Sequence, residues 1–174
     1  MVVKIAINGF GRIGRLVFRA IRELYPTECQ VVAIHDLCDI KTNAYLLRVD
    51  SAHGHFQEKI TVDAEAQTFT VGEGATAWVV KNIGGRLGPS QLPWGELGID
   101  CVLESTGIFK THIQKNNAGE MTRDGYDGHI VSGAKKVLLS VPAGDNIDCT
   151  LVCGVNDEEL TADKVCISNA SCTT

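Results

Sequence analysis

Apolar runs alternate with a segment of helical periodicity in the first part of the chain. Residues 2–7 (VVKIAI) and 31–36 (VVAIHD) are rich in β-branched residues, which is typical of buried parallel strands. Between them, apolar residues recur at helical spacing and form one stripe: Ile13, Leu16, Val17, Ala20, Ile21 and Leu24. This order predicts a strand–helix–strand unit with a right-handed crossover.

Similar patterns continue to the end of the chain. Residues 58–72 (EKITVDAEAQTFTVG) alternate with a period of two around a polar middle, which predicts an antiparallel hairpin. Further strands are predicted at residues 101–106, 136–141, 150–155 and 165–169. Residues 116–128, polar and with three glycines, are predicted to form an exposed loop. The fold class predicted is α/β: a doubly wound, mostly parallel Rossmann-type sheet with helices on both faces and an antiparallel hairpin insertion.

Composition and charge argue against several kinds of binding partner and site. The 174 residues suit one domain, with 44% hydrophobic and 21% charged residues. A net charge of −5 with scattered Lys and Arg argues against nucleic acid, and no apolar run is long enough for a membrane span. The seven cysteines form no CxxC pair, and the histidines do not stand at zinc-ligand spacing from them. We therefore expect a cytoplasmic, disulfide-free protein without a metal site.

The segment NGFGRIGR (residues 8–15) is the first candidate binding motif. Gly9, Gly11 and Gly14 have the G-x-G-x-x-G spacing, directly after a predicted strand and at the start of a predicted helix. Gly9 would permit a tight turn, Gly11 would let the backbone approach a diphosphate, and Gly14 would allow close helix–strand packing. Unpaired N–H groups at the helix N-terminus would then bind the anion. The alternative is a glycine-rich turn without a ligand.

Asp36 supplies a second feature of the same kind. It ends the second predicted strand, at the distance from the glycines where an acid accepts hydrogen bonds from the adenosine ribose. The carboxylate would repel a 2′-phosphate, so NAD is predicted rather than NADP. An ordinary loop aspartate or a helix cap is the alternative.

Cys172 lies in the segment SNASCTT (residues 168–174) among small hydroxyl residues. Such residues are common at helix N-termini, where the dipole stabilises a thiolate and makes it a better nucleophile. A buried structural thiol is the other interpretation, and the residues alone leave both open.

Several motifs together carry a family resemblance. In chain order they are NGFGRIGR, VDSAHG (residues 49–54), LPWGELGID (92–100), ESTGIF (104–109), GAKKVLLSVP (133–142), GVN (154–156) and SNASCTT. The sequence closely resembles phosphorylating glyceraldehyde-3-phosphate dehydrogenase over essentially all 174 residues, but only the first half of that enzyme. The resemblance implies that residues 1–174 are the NAD-binding domain, that the second, catalytic domain is absent from this chain, and that the chain is a fragment ending at a domain boundary.

The resemblance also implies roles for individual residues. The backbone of Arg12 and Ile13 would contact the diphosphate of NAD, and Arg86 would lie near the adenine. Thr106, Gly107 and Ser140 would line the nicotinamide side. The full cofactor-binding set implied is Asn8, Gly9, Gly11, Arg12, Ile13, Gly14, Asp36, Arg86, Thr106, Gly107 and Ser140. Cys172 would be the catalytic nucleophile, with Ser171 and Thr173 contacting substrate or inorganic phosphate.

The implied reaction belongs to glycolysis. The Cys172 thiolate would attack glyceraldehyde 3-phosphate, hydride would pass to NAD, and phosphate would release 1,3-bisphosphoglycerate from the resulting thioester. In the family, a histidine base and a phosphate-binding arginine belong to the second domain, so the chain alone is expected to be inactive and to bind NAD more weakly. The resemblance implies a homotetramer for the full-length protein.

Two alternative functions stay open, and the sequence differs from the family's usual pattern at two places. One alternative is that the parent is an erythrose-4-phosphate dehydrogenase, which shares these motifs. The other is that the chain is a stand-alone NAD-binding interaction module without catalysis. His35 stands where the family usually has asparagine, and its bulkier ring would tilt the adenine pocket. Residues 110–132 exceed the family's usual helix and loop by roughly ten residues.

Overall fold

The computed structural model describes residues 2–171, and the chain divides into two compact units, Met1–Arg86 and Leu87–Thr174. Each unit is described below by itself. Cys172 and Thr173, which were predicted to be site residues, lie outside the described residues.

The first unit is built on a mixed five-stranded sheet. Its elements are β1 (Val3–Asn8), α1 (Arg12–Leu24), β2 (Cys29–His35), α2 (Ile40–Arg48), β3 (Val49–Asp50), β4 (Gly54–His55), β5 (Ile60–Asp63), β6 (Thr68–Val71) and β7 (Trp78–Ile83). The sheet order is β1-β2-β7-β6-β5, with β1, β2 and β7 parallel. The predicted strand–helix–strand unit is confirmed. The predicted hairpin is confirmed as β5 and β6, and it extends the edge of this sheet because β6 pairs antiparallel with β7.

The buried face of α1 differs from the predicted apolar stripe. The helix buries Gly14, Phe18, Arg19 and Arg22, whereas Ile13 and Leu24 are 50% and 67% exposed. The helix therefore forms as predicted, but the residues of the apolar stripe are only half-buried or exposed. Two arginines lie on the core side because their guanidinium groups are satisfied there. Arg19 donates twice to the carbonyl of Leu47 (3.0 and 2.6 Å), and its apolar stem is buried.

The second unit contains a four-stranded parallel sheet. Its elements are α3 (Trp94–Leu97), β8 (Cys101–Glu104), β9 (Gln114–Lys115), β10 (Met121–Arg123), α4 (Gly128–Val131), β11 (Lys136–Leu139), β12 (Cys149–Thr150) and β13 (Cys166–Ser168). The order is β8-β11-β13-β12, all parallel, and β9 and β10 form a separate antiparallel hairpin. Short 3₁₀ turns complete the two units at Gly74–Thr76, Pro89–Gln91 and Asp157–Glu159.

Three of the four strands predicted in this unit are found. Residues 101–106, 136–141 and 165–169 do contain β8, β11 and β13. The predicted strand at 150–155 is mostly wrong, because only Cys149–Thr150 pairs. Beyond it, Asn156 accepts a hydrogen bond from the amide of Val152 (2.8 Å) and closes a turn.

The predicted exposed loop at residues 116–128 is only partly correct. Its first part is exposed and includes β10, but Tyr126 is fully buried and packs with Val137, Leu139 and Cys166. The Tyr126 hydroxyl donates to Asp145 (3.0 Å), which fixes the end of the segment to the loop after β11. A polar, glycine-containing segment thus turns inward around one aromatic anchor. Taken together, the parallel strands, helices and antiparallel hairpins confirm the predicted Rossmann-type α/β fold class.

Candidate functional site: a dinucleotide-binding turn

The glycine-rich segment forms the predicted turn between a strand and a helix. Gly9 has a φ of +90°, a left-handed conformation that favours glycine, and its amide donates to the carbonyl of His35 (2.9 Å). Gly11 caps α1 without a side-chain hydrogen bond, and the first turn of α1 holds no acidic residue. The helix therefore presents backbone N–H groups and the positive end of its dipole at this turn, which is the arrangement that binds an anion.

At Gly11 the fold itself makes no demand for glycine. Its φ of −72° and ψ of −160° are extended backbone that other residues adopt. A Cβ built on Gly11 would meet no atom of residues 2–171 within 4 Å, apart from Gly11 itself and its chain neighbours. A side chain here would fit the protein, whereas it would hold a phosphate away from the backbone. The missing side chain therefore fits a ligand that approaches closely, as predicted from the motif.

Asp36 is brought directly to the glycine turn. Its Oδ2 accepts a hydrogen bond from the amide of Phe10 (2.8 Å), and its Oδ1 accepts one from the amide of Cys38 (2.9 Å). These bonds hold the carboxylate in place, and an ionised carboxylate has acceptor capacity beyond them for a ligand hydroxyl. The hydrogen bond with Asp36 also raises the pKa of the Cys38 thiol. The two features that the sequence predicted separately thus form one site.

Asn8 and His35 support the turn from the ends of β1 and β2. Asn8 is fully buried, and His35 is 5% exposed. The imidazole of His35 contacts Asn8 Oδ1 through Nδ1 (2.5 Å) and the carbonyl of Gly85 through Nε2 (2.9 Å). Arg86 follows directly, is exposed, and makes no hydrogen bond or ion pair among residues 2–171. The ring of His35 is therefore buried and bonded at both nitrogens.

Arg12 and Ile13 begin α1 and are both exposed. The Arg12 guanidinium lies 3.6 Å from the carboxylate of Asp50, which is 9% exposed. Backbone N–H groups of His53 and Ala52, followed by the side chain of His53 and the charge of Arg12, hold the pKa of Asp50 well below its usual range. The sequence analysis did not single out Asp50 as a partner of Arg12, because nothing in its local pattern points to residue 12.

In the second unit, Thr106 and Gly107 form the turn after β8. Glu104, fully buried, accepts a hydrogen bond from the amide of Thr106 (2.9 Å) and another from its hydroxyl. The Thr106 hydroxyl oxygen in turn accepts from the amide of Ile108 (3.1 Å). Gly107 has a φ of +72°, so glycine is required by the turn itself. The side chain of Thr106 is therefore held tightly on the protein side.

Glu104 is also the end of a buried chain of hydrogen bonds, here called the buried relay, that runs from Trp94 through His129. Trp94 Nε1 donates to His129 Nδ1 (2.9 Å), and His129 Nε2 lies 2.9 Å from Glu104 Oε2. Because the indole can only donate, Nδ1 must accept, so the proton of the neutral imidazole is on Nε2 and points to Glu104. All three side chains are fully buried. The sequence analysis missed this relay, since its members are 35 and 25 residues apart in the chain.

Ser140 lies at the same end of this sheet as the Thr106–Gly107 turn. β8 and β11 are paired in parallel with Glu104 opposite Leu139, and the amide of Ser140 donates to the carbonyl of Glu104 (3.0 Å). The structure thus brings together the residues predicted for the nicotinamide side. Ser171 is exposed at the end of the described chain.

No metal centre or membrane-spanning element is found in the part of the chain that the structure describes. Residues 2–171 contain no group of three or more His, Cys, Asp and Glu side chains that could hold a metal ion. Within the same residues no helix has the length and apolar character needed to cross a bilayer. The six cysteines among them are free thiols.

Comparison with known proteins shows which family the chain resembles. The model for the NAD binding domain of glyceraldehyde 3-phosphate dehydrogenase matches residues 3–112. Over its whole length the chain is 47% identical to the glyceraldehyde-3-phosphate dehydrogenase of Xanthobacter flavus, 46% to that of Cereibacter sphaeroides and 43% to that of Pseudomonas aeruginosa. It spans 46–47% of the length of these relatives, which is about half.

Proposed function

The chain belongs to the glyceraldehyde 3-phosphate dehydrogenase family, and on this premise we propose that it binds NAD at the glycine turn and serves the phosphorylating oxidation of glyceraldehyde 3-phosphate. The observation that carries the proposal is the hydrogen bond from the amide of Phe10 to Asp36, which joins the phosphate-binding turn to the ribose-binding acid across 26 residues. NAD is the expected cofactor, because the matched family domain is the NAD-binding one.

The residues present fit the coenzyme. Gly9, Gly11 and the N-terminus of α1 would hold the diphosphate, and Asp36 would accept the ribose hydroxyls. Arg86, exposed and unpaired among residues 2–171, would lie near the adenine. Thr106, Gly107 and Ser140 would line the nicotinamide side. When bound, NAD supplies the acceptor for a hydride.

The chemistry would be centred on Cys172, which lies outside the described residues. Its thiolate would attack the aldehyde carbon and form a carbon–sulfur bond; loss of hydride from that carbon then leaves a thioester. A phosphate oxygen attacks the thioester carbon, the carbon–sulfur bond breaks, and the thiolate is restored with release of 1,3-bisphosphoglycerate. Ser171 and Thr173 would donate hydrogen bonds to substrate or phosphate. The general base and a phosphate-binding arginine would come from the second domain, so we expect this chain alone to turn over no aldehyde.

The alkylation rates of the cysteines test the catalytic assignment. We expect iodoacetamide to modify Cys172 much faster than the exposed Cys38 and Cys153, as read by mass spectrometry of tryptic peptides at pH 7. In the full-length parent, blocking Cys172 should abolish turnover, whereas Cys153→Ser should leave it unchanged. Equal reactivity of all seven thiols would contradict a nucleophilic role.

Substrate and assembly are tested on the full-length parent. The proposal expects a cytoplasmic homotetramer, which light scattering after size-exclusion chromatography would measure. It also expects a higher kcat/KM for glyceraldehyde 3-phosphate than for erythrose 4-phosphate. A large preference for the four-carbon sugar would reassign the substrate and leave NAD binding untouched. NAD binding without oxidation of either aldehyde by the parent would instead favour a stand-alone binding module.

A further inference from the structure

His35 occupies the central position at the end of the parallel strands that carry the adenosine side of the site. Its register partners are Asn8 at the end of β1 and Ile83 at the end of β7. Ligands of such sheets bind outside the carboxyl ends of the strands. A side chain at the middle position can therefore connect the glycine turn that follows β1 with the loop that follows β7.

The imidazole makes this connection through both ring nitrogens. Nε2 lies 2.9 Å from the carbonyl of Gly85, and a carbonyl can only accept, so Nε2 carries a proton and donates. Nδ1 lies 2.5 Å from the amide oxygen of Asn8. If Nδ1 also carries a proton, it donates to the Oδ1 of Asn8. If Nδ1 carries none, it accepts from the NH₂ group of Asn8, with the Asn8 side-chain amide rotated by 180°. The bond to Gly85 is kept in both protonation states.

The loop that His35 binds has few other restraints. Gly84, Gly85 and Arg86 are exposed, and Gly85 has a φ of +99°. A Cβ built on Gly84 or Gly85 would meet no atom of residues 2–171 within 4 Å, apart from the glycine itself and its chain neighbours. The hydrogen bond from His35 to Gly85 therefore restrains a loop that consists of two glycines and Arg86, which has no partner among residues 2–171.

We propose that His35 is a positioning residue for the adenosine half of the coenzyme: through Gly85 it sets where the Gly84–Arg86 loop stands relative to Asp36. This inference rests on the proposed NAD site and extends it to a side chain that departs from the family pattern. His35 itself is buried and acts through the loop.

Two amide substitutions separate the two bonds of the ring. Glutamine places its side-chain nitrogen close to the position of Nε2, so His35→Gln keeps the donor for Gly85. Asparagine places its nitrogen close to the position of Nδ1, so His35→Asn keeps the contact with Asn8 and does not reach Gly85. Binding of ADP-ribose, which lacks nicotinamide, would be measured by calorimetry on the 174-residue chain, with NMR order parameters for the amides of Gly84 to Arg86.

We expect His35→Asn to weaken ADP-ribose binding about fivefold to tenfold and to lower the order parameters of the loop, while His35→Gln stays within about twofold of the unmodified chain. Equal affinities in all three proteins would overturn the proposal, even if His35→Asn melts earlier, because that result would make His35 a structural residue only. Equal weakening in both variants would also overturn it, since the Gly85 bond would then not be the cause. If the unmodified chain fails to bind ADP-ribose, the NAD site itself fails and the inference falls with it.

Discussion

Glu104→Gln is the sharpest perturbation of the buried relay in the second unit. The substitution keeps the volume of the side chain and replaces one carboxylate oxygen with an NH₂ group. In the structure, Oε1 accepts two hydrogen bonds from Thr106, and Oε2 accepts the Nε2–H of His129. Because Trp94 fixes the His129 tautomer, each of these three groups donates to Glu104. Whichever way the glutamine amide is turned, its NH₂ group meets another donor.

The cost follows from the bonds that are lost. A hydrogen bond to a charged group contributes about 1.5–3 kcal/mol, and a buried donor left unsatisfied costs about 1–3 kcal/mol. We therefore expect Glu104→Gln to lower the free energy of unfolding by about 2–5 kcal/mol, or the melting temperature by about 5–15 °C. Urea unfolding followed by circular dichroism would measure it. Glu96→Gln, the same change at an exposed position of α3, should stay within about 0.5 kcal/mol.

A double-mutant cycle tests the tautomer argument itself. In the Trp94→Phe background, Nδ1 of His129 is released from its donor, so the ring can move its proton to Nδ1 and accept from the glutamine NH₂ group. We expect Glu104→Gln to cost about 0.5–1.5 kcal/mol less in that background. Additive costs, or a Glu104→Gln variant as stable as Glu96→Gln, would refute the reasoning.

Three further predictions concern single side chains. Asp148 accepts hydrogen bonds from the amides of Cys166 and Val165 (both 2.9 Å), which lower its pKa from 3.8. Its ionised form therefore stabilises the fold above pH 3.8, and this contribution is lost as the pH falls further. Asp148→Asn should flatten the acid side of a plot of urea midpoint against pH, and an unchanged acid side would contradict this. Burial raises the pKa of Cys166 to about 12, so iodoacetamide at pH 8 should modify it only after unfolding, and rapid modification of the folded chain would show that it is accessible. Tyr126→Phe removes a buried hydroxyl that donates to Asp145 and should cost about 1–2 kcal/mol in urea unfolding; no loss would mean that this bond does not fasten the segment.

The parts that could be predicted from sequence are those fixed by neighbouring residues. The run from β1 through the glycine turn to α1 and β2 follows from local periodicity and from a motif whose glycines have separate steric tasks. The same spacing placed Asp36 at the turn, and the structure joins the two by the bond from Phe10. Two short strands and a turn leave little freedom for another arrangement.

The parts that could not be predicted depend on contacts between distant residues. The core face of α1 includes Arg19 and Arg22, because distant carbonyl and carboxylate groups satisfy their charged ends. Periodicity treats arginine as polar, so it does not predict arginines on the buried face of the helix. Tyr126 is buried within a polar segment for a similar reason, since its partner Asp145 is 19 residues away.

The central claim is that the backbone at Gly11 holds the diphosphate of NAD, and calorimetric titration of the Gly11→Ala variant tests it most directly. Apart from residue 11 itself and its chain neighbours, the added methyl group would meet no atom of residues 2–171 within 4 Å, so the variant should melt within about 4 °C of the unmodified chain. The account predicts that the unmodified chain binds NAD and that Gly11→Ala binds it at least about tenfold more weakly. An alanine variant that binds NAD as tightly as the unmodified chain would contradict the claim.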